Sequence, residues 1–227
     1  ADVSGRGHSP PLSTEQEYGY PSYVRMFKEW MSVVLSEIFK DDVPEVYWVG
    51  TSMGGLIGMM INASVGVPLI NRLVLNDIGP FVSTVAIDRL KTYCGHPPTF
   101  NNDAEVKVYL KDIYAPFEPL TDEQWNFMVR VSVQKDGDKL KMRYDPRLTY
   151  QLRDAESKDM DLYESVWNKI PSDTKILLIR GETSDILTED TANKMKETGP
   201  GLDETITIPV VGHAPMLLSP EQLAPIR

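Results

Sequence analysis

The hydrophobic positions of this chain fall into short apolar segments separated by stretches with helical spacing. Four short, mainly apolar segments have the length of β-strands and lie at residues 46–49, 72–76, 175–180 and 205–208. Three further stretches are typical of helices: 22–39, which is apolar on one face, 55–61, which is small and apolar, and 189–197, which follows Thr188 as an N-cap. Strands that alternate with helices predict an α/β fold with a mainly parallel sheet covered on both faces.

The stretch from residue 81 to residue 167 interrupts this alternation. It contains several helical patterns and no clear buried strand, and residues 102–105 and 121–124 both have the sequence of a capping box. We interpret it as a helical lid inserted between two strands, so that residues 1–80 and 168–227 form the α/β core. Most of its aromatic side chains are expected to form the lid's own core, and a few to face a pocket: Tyr93, Phe100, Tyr109, Tyr114, Phe117, Trp125 and Phe127.

Composition and charge disfavour several classes of partner. The 227 residues carry a formal net charge of -10, which disfavours nucleic acid and anionic membranes. Cys94 is the only cysteine, so no disulfide can form within the chain. No apolar run has the length of a membrane span, and a cytoplasmic location is the default expectation. There is no Gly-rich phosphate loop and no metal-ligand spacing, so neither a cofactor nor a metal is expected; the oligomeric state is not indicated.

The sequence Gly50-Thr51-Ser52-Met53-Gly54 follows the first predicted strand and precedes the small apolar helix. A G-x-S-x-G pattern between a strand and a helix places its serine on a sharp turn with the hydroxyl exposed. Glycines flank such a serine because side chains at those positions would collide across the turn. The pattern predicts Ser52 as a nucleophile.

A serine hydroxyl needs a base to remove its proton, and the chain offers three histidines. His8 lies in a loop before the first helix, and His96 lies in a turn of the proposed lid. His213 comes just after the last predicted strand, where a loop can deliver its imidazole to the edge of the sheet that presents Ser52. We therefore interpret His213 as the base and the other two as surface or structural residues.

The base in turn needs an orienting acid, and two aspartates follow predicted strands. Asp185 comes after 175–180, and the chain order Ser52, Asp185, His213 is the order of a nucleophile–acid–base triad on a sheet of this type. Asp77 comes after 72–76 and is the second choice, with a turn or helix cap as its more ordinary role. Glu182 lies too close to its strand to be favoured. We therefore predict Asp185 as the acid that orients His213.

Five motifs together resemble the α/β-hydrolase superfamily, and within it the lidded bacterial branch of carboxylesterases, enol-lactonases and meta-cleavage product hydrolases. They are the loop at 5–9, the turn at 50–55, and the segments 75–80, 180–185 and 212–215. The resemblance implies Ser52 as nucleophile, His213 as general base and then acid, and Asp185 as its orienter. It also implies that the backbone N–H of Met53 donates to the oxyanion.

The chain departs from the family pattern at its beginning. Ala1-Asp2 corresponds to the end of the family's fourth strand, whereas the third strand of the family lies between the fourth and the fifth. A gap inside a parallel sheet would leave backbone groups unpaired. We therefore expect on the order of 40–60 further residues before this sequence, or a separate polypeptide in the gap.

The sequence predicts a serine hydrolase that cleaves small or medium esters through an acyl-enzyme. Serine at position 52 argues against dehalogenases and epoxide hydrolases of this fold, which have aspartate there. Hydrolysis of lactones or of carbon–carbon bonds uses the same three groups and stays open as an alternative. A weakly catalytic ligand-binding protein is a further alternative, disfavoured because a binder has no need of all three groups.

Overall fold

The structure is a computed structural model that describes residues 1–39, 44–92, 97–114, 119–153 and 156–227. The predictions for Tyr93, Cys94, His96 and Phe117 lie outside these residues. The helices of the described residues are α1 Tyr20–Val34, α2 Met53–Ala63, α3 Thr84–Lys91, α4 Asp103–Tyr114, α5 Asp122–Ser132, α6 Tyr150–Arg153, α7 Glu189–Glu197 and α8 Pro220–Leu223. The strands are β1 Tyr47–Thr51, β2 Arg72–Asn76, β3 Phe81–Val82, β4 Val133–Asp136, β5 Lys139–Met142, β6 Met160–Asp161, β7 Lys175–Gly181 and β8 Glu204–Ile208.

The main sheet has the order β1-β2-β7-β8, and all of its strands are parallel. Its register places Trp48 beside Leu73, and Leu73 beside Ile176. Each of these strands was predicted within one or two residues, and the predicted α/β fold is confirmed. Because parallel strands end at the same edge, the residues after β1, β2 and β7 lie close together there.

Helix α2 packs against β1 and β2 and is buried along most of its length. Its glycines permit this close packing: a Cβ on Gly58 would lie 2.7 Å from the indole nitrogen of Trp48. Ile57 and Met59 of the helix are fully buried, as are Leu73 and Leu75 of β2. A largely apolar helix packed in the core in this way restrains the turn that precedes it.

The predicted helix starts are largely confirmed. Thr188 caps α7 by accepting the N–H of Thr191, and Thr121 opens α5 with both bonds of a capping box. The capping box expected at 102–105 is only half formed. Asn102 accepts the N–H of Glu105, but the Glu105 carboxylate accepts the N–H of Asn101.

The 81–167 segment is less helical than predicted. Strands β4 and β5 form an antiparallel hairpin around Gly137, which has φ +62°. The apolar pattern does not reveal this hairpin, because only its first and last residues, Val133 and Met142, are buried. They join α4 and α5 in a second core, separate from the main one, formed by Phe100, Val106, Leu110, Trp125, Val129, Val133 and Met142.

The predicted lid aromatics divide between this second core and the surface. Phe100 and Trp125 are buried in it, Tyr109 and Tyr114 pack against it half-buried, and Phe127 is exposed. The two ends of the segment instead pack on the main core, through Val82 and Ala86 at one end and Tyr163 and Trp167 at the other. No helix among the described residues is long and apolar enough to cross a membrane.

Candidate active site

Ser52 occupies a sharp turn between β1 and α2. Its backbone has φ 50° and ψ −116°, in the region of positive φ that few residues other than glycine adopt. The turn is held by its own main chain: Ser52 donates its N–H to Asn76, and its carbonyl accepts the N–H groups of Gly55 and Leu56. Strain of this kind at a turn points to a functional side chain.

Two glycines beside Ser52 differ in the space around them. A Cβ on Gly50 would lie 2.4 Å from the backbone nitrogen of Gly55, whereas a Cβ on Gly54 would meet nothing within 4 Å. We expect Gly50→Ala to lower the free energy of unfolding by about 2–3 kcal/mol, since the backbone itself must move. Gly54→Ala, the matched control, should leave it unchanged or raise it by about 0.5–1 kcal/mol, because alanine favours a helix.

Urea denaturation of both glycine variants measures this difference. An equal loss of stability in both would contradict the steric explanation of the turn.

His213 follows β8 and lies between two oxygen-bearing side chains. Its Nε2 is 3.0 Å from Oγ of Ser52, and its Nδ1 is 2.7 Å from Oδ2 of Asp77. Asp77 is fully buried and His213 is 8 % exposed, so the imidazole–carboxylate pair is shielded from water. A hydroxyl, an imidazole and a carboxylate in this order can move the hydroxyl proton to the ring while the carboxylate stabilises the resulting cation.

The prediction that Asp185 orients His213 is not met by this geometry. Arg89 on α3 donates from Nε and Nη2 to the two Asp185 oxygens, at 2.5 and 2.8 Å, and this ion pair lies at the surface. The chain turns after β7 so that Ser184 points inward and Asp185 outward. Glu182 is also exposed and accepts the N–H of Val210.

Asp77 was the second choice from the sequence, and the structure places it at the imidazole. It follows β2 directly, with φ 56°, and donates its own N–H to Ile179 of β7. Its Oδ1 accepts the N–H of Gly181, and its Oδ2 accepts the hydroxyl hydrogen of Ser184 as well as bonding His213. The signal available in the sequence was its place after a strand that neighbours β1.

Asn76 connects the two sides of the site and was not singled out from the sequence. Its side-chain nitrogen donates to Oγ1 of Thr51 and to the carbonyl of Pro215, both at 2.9 Å. The residue before Ser52 and the loop after His213 are thereby tied to one fully buried amide. Only the tertiary structure reveals this connection, since the three residues are far apart in the chain.

The remaining candidates occupy different places. Met53 is the first residue of α2, where backbone N–H groups have no acceptor within the helix. His8 lies in an exposed loop, with Nε2 3.4 Å from Nη1 of Arg143. Among the described residues, no group of three or more His, Cys, Asp or Glu side chains is arranged to hold a metal ion.

Comparison with known proteins identifies the family. A family model described as the alpha/beta hydrolase family matches residues 2–226. The chain belongs to the α/β hydrolase family. The family assignment made from the sequence motifs is therefore confirmed, and so is membership of a family of hydrolases.

Individual relatives of this α/β hydrolase agree with the assignment. It is 34 % identical over 229 residues to a 3-hydroxybutyrate-oligomer hydrolase from Cupriavidus necator, covering 98 % of this chain and 75 % of the relative. A crystal structure from Rickettsia typhi superposes with a TM-score of 0.86 at 33 % identity, covering 99 % of this chain and 73 % of that one. The structure of an alpha/beta hydrolase from Novosphingobium aromaticivorans superposes with a TM-score of 0.82 at 28 % sequence identity, and the match covers 99 % of this chain and 76 % of that one.

Proposed function

We propose that this α/β hydrolase is a serine esterase in which Ser52, His213 and Asp77 form the catalytic triad. The observation that supports it is the position of the His213 ring, with one nitrogen 3.0 Å from the Ser52 hydroxyl and the other 2.7 Å from a buried carboxylate. Asp77 takes the role that the sequence suggested for Asp185.

In the first half of the proposed reaction, Oγ of Ser52 attacks the ester carbonyl as Nε2 of His213 takes its proton. The backbone N–H of Met53 donates to the oxyanion of the tetrahedral intermediate. When this intermediate collapses, the imidazolium gives the proton taken from Ser52 to the departing alcohol, and the acyl group stays on Ser52. Asp77 accepts the hydrogen bond from Nδ1 throughout and stabilises the imidazolium.

In the second half, His213 removes a proton from water, and the hydroxide attacks the acyl-enzyme. Collapse of this second intermediate releases the carboxylic acid and returns the proton to Ser52. Both protons pass through Nε2 of His213. The Ser52 proton leaves with the alcohol and a proton from water replaces it, so the enzyme ends the cycle in its starting state.

The substrate class follows from the relative rather than from the site alone. The Cupriavidus protein, 34 % identical along nearly the whole chain, is a hydrolase of 3-hydroxybutyrate oligomers. Such oligomers are joined by ordinary ester bonds, which suit a serine triad. We therefore infer small oligoesters of hydroxy acids as the first substrates to test, within the broader class of small and medium esters.

The 81–167 segment serves in this proposal as a lid. Support comes from a contact of its helix α5 with the loop that follows His213: Gln124 at the start of α5 donates to the carbonyl of Leu218 at 3.2 Å. A lid over the site excludes water and lines the pocket that receives the acyl group.

A substrate panel tests the function. We expect the protein to hydrolyse nitrophenyl acetate and butyrate and to release monomer from 3-hydroxybutyrate dimers and trimers, and to react covalently with a fluorophosphonate. The control is His213→Gln, which keeps a polar side chain but has no ring to accept the proton; it should lose most of the activity. Faster turnover of lactones than of open esters would change the substrate class, and no turnover or labelling would contradict the proposal.

A further inference from the structure

We propose that Ser184 is a positioning residue that holds the Asp77 carboxylate in its working orientation. The inference rests on the proposed function, since it assigns a role within the same triad. Ser184 lies in the turn after β7, is 7 % exposed, and places its Oγ 2.5 Å from Oδ2 of Asp77. Among the described residues its hydroxyl bonds Asp77 and two backbone N–H groups of its own turn, and not Ser52, so we assign it a role through Asp77.

The direction of the Ser184 hydrogen bond is determined by its other partners. Its Oγ accepts the backbone N–H of Ile186 at 3.2 Å and that of Leu187 at 3.1 Å. A hydroxyl has two acceptor positions and one hydrogen. Both acceptor positions are occupied, so the hydrogen is directed at Asp77.

The Ser184 hydroxyl also bears on which ring nitrogen of His213 carries the hydrogen. Oδ2 of Asp77 receives the Ser184 hydroxyl and faces Nδ1 of His213, while Oδ1 receives the N–H of Gly181 at 2.7 Å. A carboxylate that accepts on both oxygens requires a donor at the ring, so the hydrogen lies on Nδ1. Nε2 is then left with its lone pair toward Ser52, which is the form that a general base needs.

The turn that carries Ser184 is itself tied to the His213 loop. Thr183 donates its N–H to the carbonyl of Val211, and Ser184 donates its N–H to that of Gly181. Gly181 has no room for a side chain, since a Cβ would lie 2.3 Å from the carbonyl oxygen of Gly212. The turn therefore has little freedom to move, and Ser184 presents a fixed donor to Asp77.

The experiment compares variants of Ser184 by the rate at which a fluorophosphonate labels Ser52, and by kcat and KM for nitrophenyl butyrate. Ser184→Ala should lower the labelling rate and kcat by about 10-fold, the effect of one hydrogen bond to a charged group, with KM within about 2-fold. Ser184→Thr keeps the hydroxyl and should restore the rate. Ser184→Cys, a weaker donor, should give an intermediate rate.

A matched control removes another buried hydroxyl. Thr174 is 3 % exposed, its Oγ1 accepts from the side chain of Asn62, and it lies just before the start of β7, at the opposite end of that strand from Ser184. Thr174→Val keeps the shape and removes the hydroxyl, so it should leave labelling and kcat within about 2-fold. If the loss of any buried hydroxyl disturbed the packing of the core, the labelling rate and kcat would fall in Thr174→Val as well as in Ser184→Ala.

A double-mutant cycle separates positioning from a merely structural role. In an Asp77→Asn background there is no carboxylate to orient, so adding Ser184→Ala should change the labelling rate by less than about 2-fold. A further 10-fold loss there would overturn the proposal. Labelling of the single Ser184→Ala variant at the rate of the wild-type protein would also overturn the proposal.

An NMR measurement distinguishes this proposal from the function on which it rests. An unlabelled wild-type protein contradicts the esterase function, and the Nδ1 proton of His213, observed by NMR at low field, then tests Ser184 without any turnover. Its resonance should be displaced or broadened in Ser184→Ala and restored in Ser184→Thr. An unchanged resonance in Ser184→Ala would overturn the role of Ser184.

Discussion

Ser52→Ala is expected to reduce ester hydrolysis by about 10⁶-fold and to abolish fluorophosphonate labelling. The proposed nucleophilic oxygen is removed. The backbone of the turn is retained, because Ser52 donates its N–H to the carbonyl of Asn76 and its carbonyl accepts the N–H of Gly55. The measurements are kcat/KM for nitrophenyl butyrate and mass spectrometry of the labelled protein. A melting curve should show that the variant is folded.

The matched control for this variant is Ser64→Ala. Ser64 follows the other end of α2, is exposed, and donates its hydroxyl to the carbonyl of Ile61. Its replacement should leave kcat/KM and labelling within about 2-fold, since exposed substitutions have small effects. Turnover that survives in Ser52→Ala would remove this serine from the mechanism and with it the acyl-enzyme.

Asp77→Asn is expected to lower kcat by about 10⁴-fold, whereas Asp185→Asn should change it by less than about 3-fold. An amide at position 77 can donate to Nδ1 of His213, which favours the ring form whose hydrogen faces Ser52 and which cannot act as a base. Within the described part of the chain Asp185 forms no hydrogen bond with the ring, and its replacement breaks a surface ion pair with Arg89.

The same assay on both variants decides between the two aspartates. A large loss in Asp185→Asn with an active Asp77→Asn would mean that the acid is the one suggested by the chain order, and that the contact between Asp77 and His213 does not serve catalysis. Loss in both would point to a disturbed loop after β7, which a melting curve of each variant would reveal.

The turn that carries Ser52 was predictable because it depends on neighbours in sequence. A buried strand, a turn rich in glycine and a small apolar helix occur within 46–61, and the structure has β1, Ser52 and α2 in that order. His213 was likewise predictable as the histidine that follows the last strand. The hairpin β4–β5 was not, since most of its residues are exposed and carry no alternating apolar signal.

The sequence by itself determined the α/β fold, the turn at Ser52 and the loop that carries His213. Only the tertiary structure decided which aspartate lies at the imidazole, because Asp77 and Asp185 both follow parallel strands that end at one edge of the sheet. The choice depends on the direction of the turn after β7, which is set by contacts with residues distant in the chain. That turn directs Ser184 inward to Asp77, and Asp185 outward to Arg89, which is 96 residues away in the chain.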